Sequence, residues 1–343
     1  IKEKYLLRKY IELGNHLGNI GFTEDLSEVV EYAESTLFSL SDFTQSREPE
    51  SLSKCIDEVI SEVEKIISKE KSLIGIPSGF TEVDRVTGGW QGGNLVIIAG
   101  RPSMGKTALA LTLSLNCAKL GYPVGVFSLE MSKGELATRY LSGASGYTNV
   151  EIRNAKIDLE KFVSKSNDVA LFPIYIDDTP SMGLFEMRSK VKKLIIRHGV
   201  KLIIVDYLQL MTAEAGNREQ EVSKISRGLK AIAKEFNVPV IALSQLNRSV
   251  EERADKRPRL SDLRESGAIE QDADVVCFVF RPAYYTMSTI QIDGSEVSTT
   301  GLMLLDCLKD RNGALFSVPL YHNESMTEIQ DTKFEVKNIP DKF

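Results

Sequence analysis

The most constraining feature of this sequence is a glycine-rich loop that matches the phosphate-binding pattern G-x-x-x-x-G-K-[ST]. The residues assigned to nucleotide binding are Gly100, Arg101, Pro102, Ser103, Met104, Gly105, Lys106, Thr107 and Ala108. An apolar, β-branched run at 94–99 precedes the loop, and a helical pattern at 108–113 follows it. Between a strand and a helix, this pattern forms a concavity of backbone N–H groups that faces phosphate oxygens. The chain is therefore expected to bind a nucleoside triphosphate, here ATP.

The same pattern assigns roles to the two residues that end the loop. Lys106 is expected to reach the β- and γ-phosphates, and the Thr107 hydroxyl is expected to bind Mg²⁺. An ordinary Gly/Ser turn is the alternative. That alternative does not require a strand before the loop and a helix after it, and this sequence predicts both.

Composition limits the class of protein. The 343 residues suffice for one large α/β domain with an appendage or for two modest domains. No apolar run approaches the ~18 residues of a membrane span, and no signal peptide is found, so a cytoplasmic protein outside the membrane is expected. The formal net charge is −6, so any contact with DNA must be local rather than a general basic coat. The sequence opens on Ile1 within a helical pattern, as expected of a segment of a longer chain.

Residues 1–70 are predicted to form helices without strands. Apolar residues recur at helical spacing in 4–11, 26–40 and 56–67. The apolar stripe of the second of these segments consists of Val29, Val30, Ala33, Leu37 and Leu40. Because the rest of the chain supplies helices to cover its own sheet, we expect this stripe to pack against a neighbouring subunit. Packing within its own chain is the alternative.

From Ile76 onward, short apolar runs alternate with helical patterns, which is typical of an α/β fold with a mostly parallel central sheet flanked by helices. The predicted strands are Leu95–Ala99, Val124–Leu129, Ile174–Ile176, Leu202–Val205, Val240–Leu243, Val275–Phe280, Leu302–Leu305 and Leu315–Pro319. Helices are predicted between them, for example at Leu184–Arg197 and Val222–Phe236. Residues 249–266 are charged and poor in apolar side chains, so we expect an exposed loop there.

Three of the predicted strands lead to a side chain suited to nucleotide hydrolysis. Asp206 follows an apolar strand in the Walker B pattern, so it is expected to hold Mg²⁺ directly or through water. Glu130 also follows an apolar strand and, if that strand lies beside the phosphate-loop strand, can act as general base on the attacking water. Gln245 ends a third strand and can sense the γ-phosphate. The alternatives are a Glu130 that caps the next helix and a Gln245 bonded within its own loop.

A set of motifs in fixed order carries a closer resemblance. They are 101–107 (RPSMGKT), 128–132 (SLEMS), 205–211 (VDYLQLM), 243–248 (LSQLNR), 262–274 (DLRESGAIEQDAD) and 309–313 (KDRNG). Together they resemble the DnaB-type replicative DNA helicases of bacteria and phages, over roughly Gly75 to Leu320. The resemblance implies a RecA-like P-loop motor domain at 75–343. It also implies the end of an N-terminal domain with its linker helix at 1–45, and a connecting helix at 46–74.

The resemblance also assigns residues outside the phosphate loop. Lys309 and Arg311 match the pair that reaches the nucleotide of the neighbouring subunit, with Arg311 as an arginine finger supplied in trans. Arg264, Glu265 and Gly267 match the loop that grips the single-stranded DNA backbone in the central channel. Without the resemblance, the first pair would be surface cations at a strand end and the second group a charged loop.

The activity that the resemblance implies is that of an ATP-dependent replicative DNA helicase, with ATP and Mg²⁺ as cofactors. It implies a homohexamer that moves 5′ to 3′ on single-stranded DNA and unwinds forked DNA. It also implies a primase and a helicase loader as candidate partners. Two alternatives stay open. One is a RecA-like recombination or repair ATPase without unwinding, and the other is a nucleotide-binding ring or adaptor that organises other replication proteins.

Overall fold

The computed structural model of the chain describes residues 2–22, 51–68, 73–213, 216–292 and 294–332, together with residues 25, 29, 32–33, 36 and 40. It describes the backbone but not the side chains of residues 2, 62, 65–66 and 264–267. The chain divides into two compact units, Ile1–Ser68 and Lys69–Phe343, and each is described by itself. Among the described residues, no helix is both long enough and apolar enough to cross a membrane.

The described part of the first unit contains α1 (Lys2–Ile20) and α2 (Leu52–Ile67). Both helices confirm the helical spacing seen in the sequence. Five of the apolar residues that predicted α2 are exposed, namely Ile56, Val59, Ile60, Val63 and Ile67. Of the apolar stripe predicted at 26–40, Val30 and Leu37 lie outside the described residues. Its docking on a neighbouring subunit stays a prediction.

The second unit is built on a nine-stranded sheet and a separate hairpin. The strands are β1 (Leu95–Gly100), β2 (Val124–Ser128), β3 (Ile174–Asp177), β4 (Leu202–Asp206), β5 (Val240–Gln245), β6 (Val275–Phe280), β7 (Thr289–Ile292), β8 (Ser295–Ser298), β9 (Leu302–Asp310), β10 (Phe316–His322) and β11 (Ile329–Asp331). The sheet order is β11-β10-β9-β6-β1-β5-β4-β2-β3. Six strands run parallel, namely β6, β1, β5, β4, β2 and β3. At one edge of the sheet, β9 pairs antiparallel with β6, β10 with β9, and β11 with β10. Strands β7 and β8 form the hairpin.

Helices cover both faces of the sheet. They are α3 (Thr81–Thr87), α4 (Lys106–Lys119), α5 (Lys133–Ser145), α6 (Asn149–Arg153), α7 (Leu159–Ala170), α8 (Leu184–His198), α9 (Arg218–Phe236) and α10 (Gly267–Asp272). Alternate residues of β1 therefore enter two cores, with Val96 and Ile98 beneath α4 and Leu95 and Ile97 beneath α9. Because every residue of β1 is buried, the strand is an unbroken apolar run in the sequence.

Every strand predicted from the sequence is present, with changes at the ends. The largest change is in β9, which was predicted to end at Leu305 and continues to Asp310. The sequence-based prediction missed β7, β8 and β11, which are short and largely exposed, so their apolar alternation is weak. Helix α9 begins at Arg218, earlier than predicted, because the Asn217 side chain caps it by accepting from the Gln220 N–H.

The prediction of an exposed loop at 249–266 is correct only in part, because exposed residues alternate with buried ones. The segment contains two 3₁₀ turns, Arg248–Glu252 and Leu260–Ser266. Within it, Asp262 is only 3% exposed, and Arg253 donates to both of its carboxylate oxygens at 2.7 and 2.6 Å. This pair joins two parts of the same segment and keeps the buried Asp262 carboxylate paired.

Candidate nucleotide-binding site

The predicted phosphate loop connects β1 to α4 at the carboxyl edge of the parallel strands. Two residues of the turn have positive φ values, Ser103 at 64° and Gly105 at 92°. A Cβ atom at Gly105 would also collide with Cε of Met326 and lie 2.8 Å from Cε of Met303. Any larger residue would be strained at this φ and would displace the flexible ends of both methionines, so the concave form of the loop favours glycine at this position.

Lys106 begins α4 with its ammonium turned back into the loop. Its Nζ donates to the carbonyl of Gly100 at 2.9 Å and to that of Arg101 at 3.2 Å. Burial lowers the pKa of Lys106 to about 8, although the negative charges of Asp206 and Glu130 oppose this shift. A poorly hydrated ammonium in this position is well suited to bind an anion that replaces the lost water.

The side chains of Arg101 and Met104 point away from the phosphate-binding surface. Arg101 is 7% exposed and donates to the carbonyl of Leu246 and to the carboxylate of Glu251, both at 2.8 Å. Met104 is buried in the core beneath α4. Both side chains therefore hold the loop in place, and phosphate can meet these residues only through the backbone.

A cleft of about 560 Å³ opens in front of the loop and collects most of the predicted nucleotide-site residues. From that predicted set, it is lined by Pro102, Ser103, Gly105, Lys106, Thr107, Ala108, Glu130, Asp206 and Gln245. Its volume lies in the range of small-molecule sites, roughly 300–1,000 Å³. The cleft is therefore large enough to receive a nucleotide beside the loop.

Glu130 lines this cleft, although its strand does not lie beside the phosphate-loop strand. Its strand β2 pairs with β4 and β3, whereas the loop strand β1 pairs with β5 and β6, so the condition that the two strands be adjacent is not met. The side chains still meet because the carboxyl ends of these parallel strands open on one edge of the sheet. Glu130 does not cap the next helix either, because α5 is capped by the reciprocal pair Ser132 and Glu135.

Asp206 ends β4 and is 5% exposed. Burial raises the pKa of Asp206, a hydrogen bond from the Thr107 hydroxyl opposes this shift, and the charge of Glu130 adds to it. The result is a group of oxygen atoms to which Lys106 and Arg139 supply the nearby positive charge. Thr107 and Asp206 therefore fit Mg²⁺, which prefers oxygen ligands and shares its coordination between carboxylates and substrate phosphates.

Gln245 lies at the end of β5 and lines both this cleft and a second one of about 390 Å³. The amide of Gln209 fixes its backbone: Nε2 of Gln209 donates to the Gln245 carbonyl and Oε1 accepts from the Gln245 N–H, both at 3.2 Å. The second cleft also contains Arg218 and Arg248. Gln245 is thus held where its side chain can contact groups in either cleft.

The cleft contains further side chains that the sequence-based analysis missed. They are Arg139, Asn149, Tyr207, Arg281, Ser325 and Met326. Arg281 follows the parallel strand β6, so the rule that identified Asp206 also identifies Arg281, whose Nη1 donates to the Ser103 carbonyl at 3.0 Å. No sequence signal marks Ser325 and Met326, which come from the loop after β10 and reach the cleft only through the fold.

Lys309 and Arg311, at the end of β9, do not line this cleft. Lys309 Nζ donates to the Ala273 carbonyl at 2.8 Å. Arg311 Nη1 lies 3.3 Å from Asp274 Oδ1, and its Nη2 donates to the Gln271 carbonyl. Within one chain, both cations are therefore directed to the end of α10 rather than to the chain's own phosphate loop.

The predicted DNA-contacting residues are described only in part. The backbone of Arg264 and Glu265 belongs to the 3₁₀ turn Leu260–Ser266, and Gly267 begins α10. The side chains of these residues lie outside the described part of the chain. Their joint contact with DNA stays a prediction.

The chain is similar to known proteins over most of its length. Residues 75–331 match the family described as DnaB-like helicase C terminal domain. The chain is 40% identical over 341 residues to a probable replicative DNA helicase of Trieres chinensis, across 96% of this chain and 74% of that relative. It is 38% identical over 329 residues to the replicative DNA helicase DnaB of Geobacillus stearothermophilus, across 93% of this chain and 71% of that relative.

Two solved structures are also similar to this chain. One solved ATPase domain is similar with a TM-score of 0.76 and 36% identity, over 83% of this chain and 100% of that one. A DnaB-like replicative helicase studied for its interactions with primase is similar with a TM-score of 0.79 and 33% identity, over 96% of this chain and 77% of that one. A family match over most of the chain, together with these relatives, shows that the chain belongs to the DnaB-like helicase family.

Proposed function

We propose that this chain is the motor of an ATP-dependent replicative DNA helicase. The observation that carries the proposal is the set Lys106, Thr107, Glu130, Asp206 and Gln245 around one cleft, in a chain of the DnaB-like family. The relatives named above are replicative DNA helicases. A cleft able to bind and hydrolyse ATP, within this family, supports a motor that moves along DNA.

Binding begins at the phosphate loop. Its backbone N–H groups and the amino end of α4 receive the phosphates of ATP, since both present positive partial charge. When ATP binds, the Lys106 ammonium leaves the carbonyls of Gly100 and Arg101 and binds the β- and γ-phosphates. Thr107 and Asp206 would hold Mg²⁺, and its charge would offset that of the phosphates.

Hydrolysis then needs a base and a group that registers the γ-phosphate. Glu130 accepts a proton from water as the water oxygen attacks the γ-phosphorus and the bond from phosphorus to the ADP oxygen breaks. Gln245 donates a hydrogen bond to the γ-phosphate and loses it when phosphate departs. Lys309 and Arg311 of the neighbouring chain offset the charge of the transferred group, which is the usual task of an arginine finger.

Each site is completed by a neighbour, which supports a closed ring, and the family resemblance supports a homohexamer moving 5′ to 3′. In that ring Arg264, Glu265 and Gly267 contact the backbone of single-stranded DNA. A primase is a candidate partner because the structure of a similar helicase was determined for its interactions with primase, and a loader is a second candidate. The family resemblance also supports a protein that works in the cytoplasm.

The test measures ATP hydrolysis with and without single-stranded DNA, and strand separation on a forked duplex. We expect hydrolysis stimulated by DNA together with unwinding, both abolished in Lys106→Ala. Lys119→Ala, at the exposed far end of α4, is the control that should retain both activities. Stimulated hydrolysis without strand separation would favour a RecA-like filament, and absence of hydrolysis would favour an adaptor.

A further inference from the structure

The contacts of Arg311 within its own chain converge on Asp274, the residue between Ala273 and β6. Asp274 is 4% exposed, and its carboxylate accepts from the Leu95 N–H at 2.8 Å, Lys230 Nζ at 2.5 Å and Arg311 Nη1 at 3.3 Å. The Arg311 N–H also donates to the Asp274 carbonyl at 2.9 Å. One buried carboxylate thus joins the start of the phosphate-loop strand to the arginine proposed to act in trans.

The two cations attached to Asp274 differ in exposure. The Lys230 side chain is 14% exposed and also donates to the Gly93 carbonyl at 2.8 Å. The Arg311 side chain is 46% exposed. Lys230 is therefore a fixed partner that keeps the buried carboxylate paired. Because half-exposed ion pairs contribute little to stability, Arg311 can leave Asp274 at small cost.

Arg311 and Lys309 also hold the end of the helix that follows the predicted DNA loop. Both side chains donate to the carbonyl of Gln271, and Lys309 donates to that of Glu270 as well. These carbonyls lie in the last turn of α10, where no partner within the helix is available. Cations at a helix carboxyl end stabilise that end. The contacts of Lys309 and Arg311 therefore stabilise a short helix that begins at Gly267, within the predicted DNA loop.

The other end of this segment is attached to the same strand. Arg257 donates to Asp306 of β9 through Nε at 2.8 Å and Nη2 at 2.9 Å. Arg257 makes two bonds to this carboxylate, whereas the Arg311 side chain makes a single bond at 3.3 Å to Asp274, so the Arg257 pair is the firmer attachment. Strand β9 therefore holds residues 257–274 at both ends. Only the attachment through Lys309 and Arg311 uses side chains proposed to act on another chain.

We propose that Asp274 is a positioning residue for Arg311, and that Arg311 alternates between Asp274 and the nucleotide of the neighbouring subunit. This inference rests on the trans role given above under Proposed function. When the neighbour binds ATP, Arg311 leaves Asp274 and α10 loses part of the support at its carboxyl end, which releases the DNA loop before it. After phosphate departs, Arg311 returns and the loop is held again. The nucleotide state of one subunit is thereby passed to the DNA contact of the next.

Two substitutions with opposite expected effects test this arrangement. Asp274→Asn weakens the hold on Arg311, so ATP hydrolysis without DNA should rise about two- to fivefold, the range that a half-exposed ion pair contributes. Lys230→Met leaves the carboxylate to Arg311 alone, so the same rate should fall by a similar factor. Glu235→Gln, which breaks the Arg188–Glu235 pair between α8 and α9, is the matched control and should leave the rate unchanged. If Asp274→Asn and Lys230→Met both lose activity, Asp274 is only structural and the proposal is overturned.

Amide hydrogen exchange supplies a second test, whose main measurement is made on the unaltered protein. A non-hydrolysable ATP analogue added to the assembled ring without DNA should speed exchange in residues 267–272, and Arg311→Ala should exchange fast with or without it. Unchanged or slower exchange would overturn the inference. Mixtures of Lys106→Ala and Arg311→Ala that co-assemble but regain no hydrolysis would instead contradict the trans role itself, so the two failures are distinguishable.

Discussion

The ammonium of Lys106 lies 2.9 Å from the carbonyl oxygen of Gly100, six positions earlier in the same loop. The cation expected to bind phosphate is therefore held by its own loop before nucleotide arrives. Burial in this position lowers the pKa of Lys106 to about 8. The charge of this side chain thus changes close to neutral pH, far from the usual range of a lysine.

Nucleotide affinity should consequently fall as pH rises above about 8. Without nucleotide, Lys106 loses its proton above its pKa, whereas phosphate keeps it protonated, so binding takes up a proton and affinity drops by up to ~10-fold per pH unit. The measurement is equilibrium binding of a fluorescent, non-hydrolysable ATP analogue between about pH 7.5 and about pH 9.5. Lys106→Arg is the control, because its guanidinium stays charged and its weaker affinity should be flat. A flat profile for the unaltered protein would contradict the burial argument.

Glu130→Gln should bind ATP and Mg²⁺ almost normally but hydrolyse ATP about 10²–10⁴-fold more slowly, because an amide cannot take the proton of water. Steady-state phosphate release and analogue binding, measured on the same preparation, separate the two effects. Glu135→Gln is the matched control on the adjacent helix, since Glu135 belongs to the cap of α5 and not to the cleft. A decrease of less than about tenfold for Glu130→Gln would assign the base to another residue.

Arg311→Ala should be complemented by Lys106→Ala in mixed rings. A chain without Arg311 retains an intact phosphate loop, and a chain without Lys106 retains an intact finger, so some interfaces in a mixture contain both. We expect each variant alone to be inactive and the mixture to regain part of the ATP hydrolysis. Light scattering confirms that the chains co-assemble. No recovery in assembled mixtures would show that Arg311 acts within its own chain.

Arg264→Ala should weaken binding to single-stranded DNA equally for all base compositions, because an arginine bound to phosphate carries no sequence information. The slope of log affinity against log salt should decrease by ~0.7 for each phosphate of a single strand that the protein no longer neutralises. Titration of labelled oligonucleotides at several salt concentrations measures both effects. Arg85→Ala, which removes an exposed arginine of α3, should leave affinity and slope unchanged. Equal slopes for Arg264→Ala and the unaltered protein would show that Arg264 does not bind the DNA backbone.

The sequence predicted well what depends on local pattern. Lys106, Thr107 and Asp206 were identified because a loop and a strand end are marked by adjacent residues, and the cleft contains all three. Strand order is not encoded locally, so the sequence left open which strands flank β2, and Glu130 reaches the cleft although β2 does not pair with β1. The burial of Asp262 was missed because its partner Arg253 is apparent only in three dimensions.

The contact of Met326 with the phosphate loop has a consequence for synthesis of the protein. Met326 lies over Gly105 and follows β10, which joins the sheet through β9. A chain still on the ribosome therefore presents its phosphate loop long before it has made the residues that close the cleft. Such contacts between distant parts of the chain form late. Firm capture of nucleotide is thus tied to synthesis of the residues that follow β10.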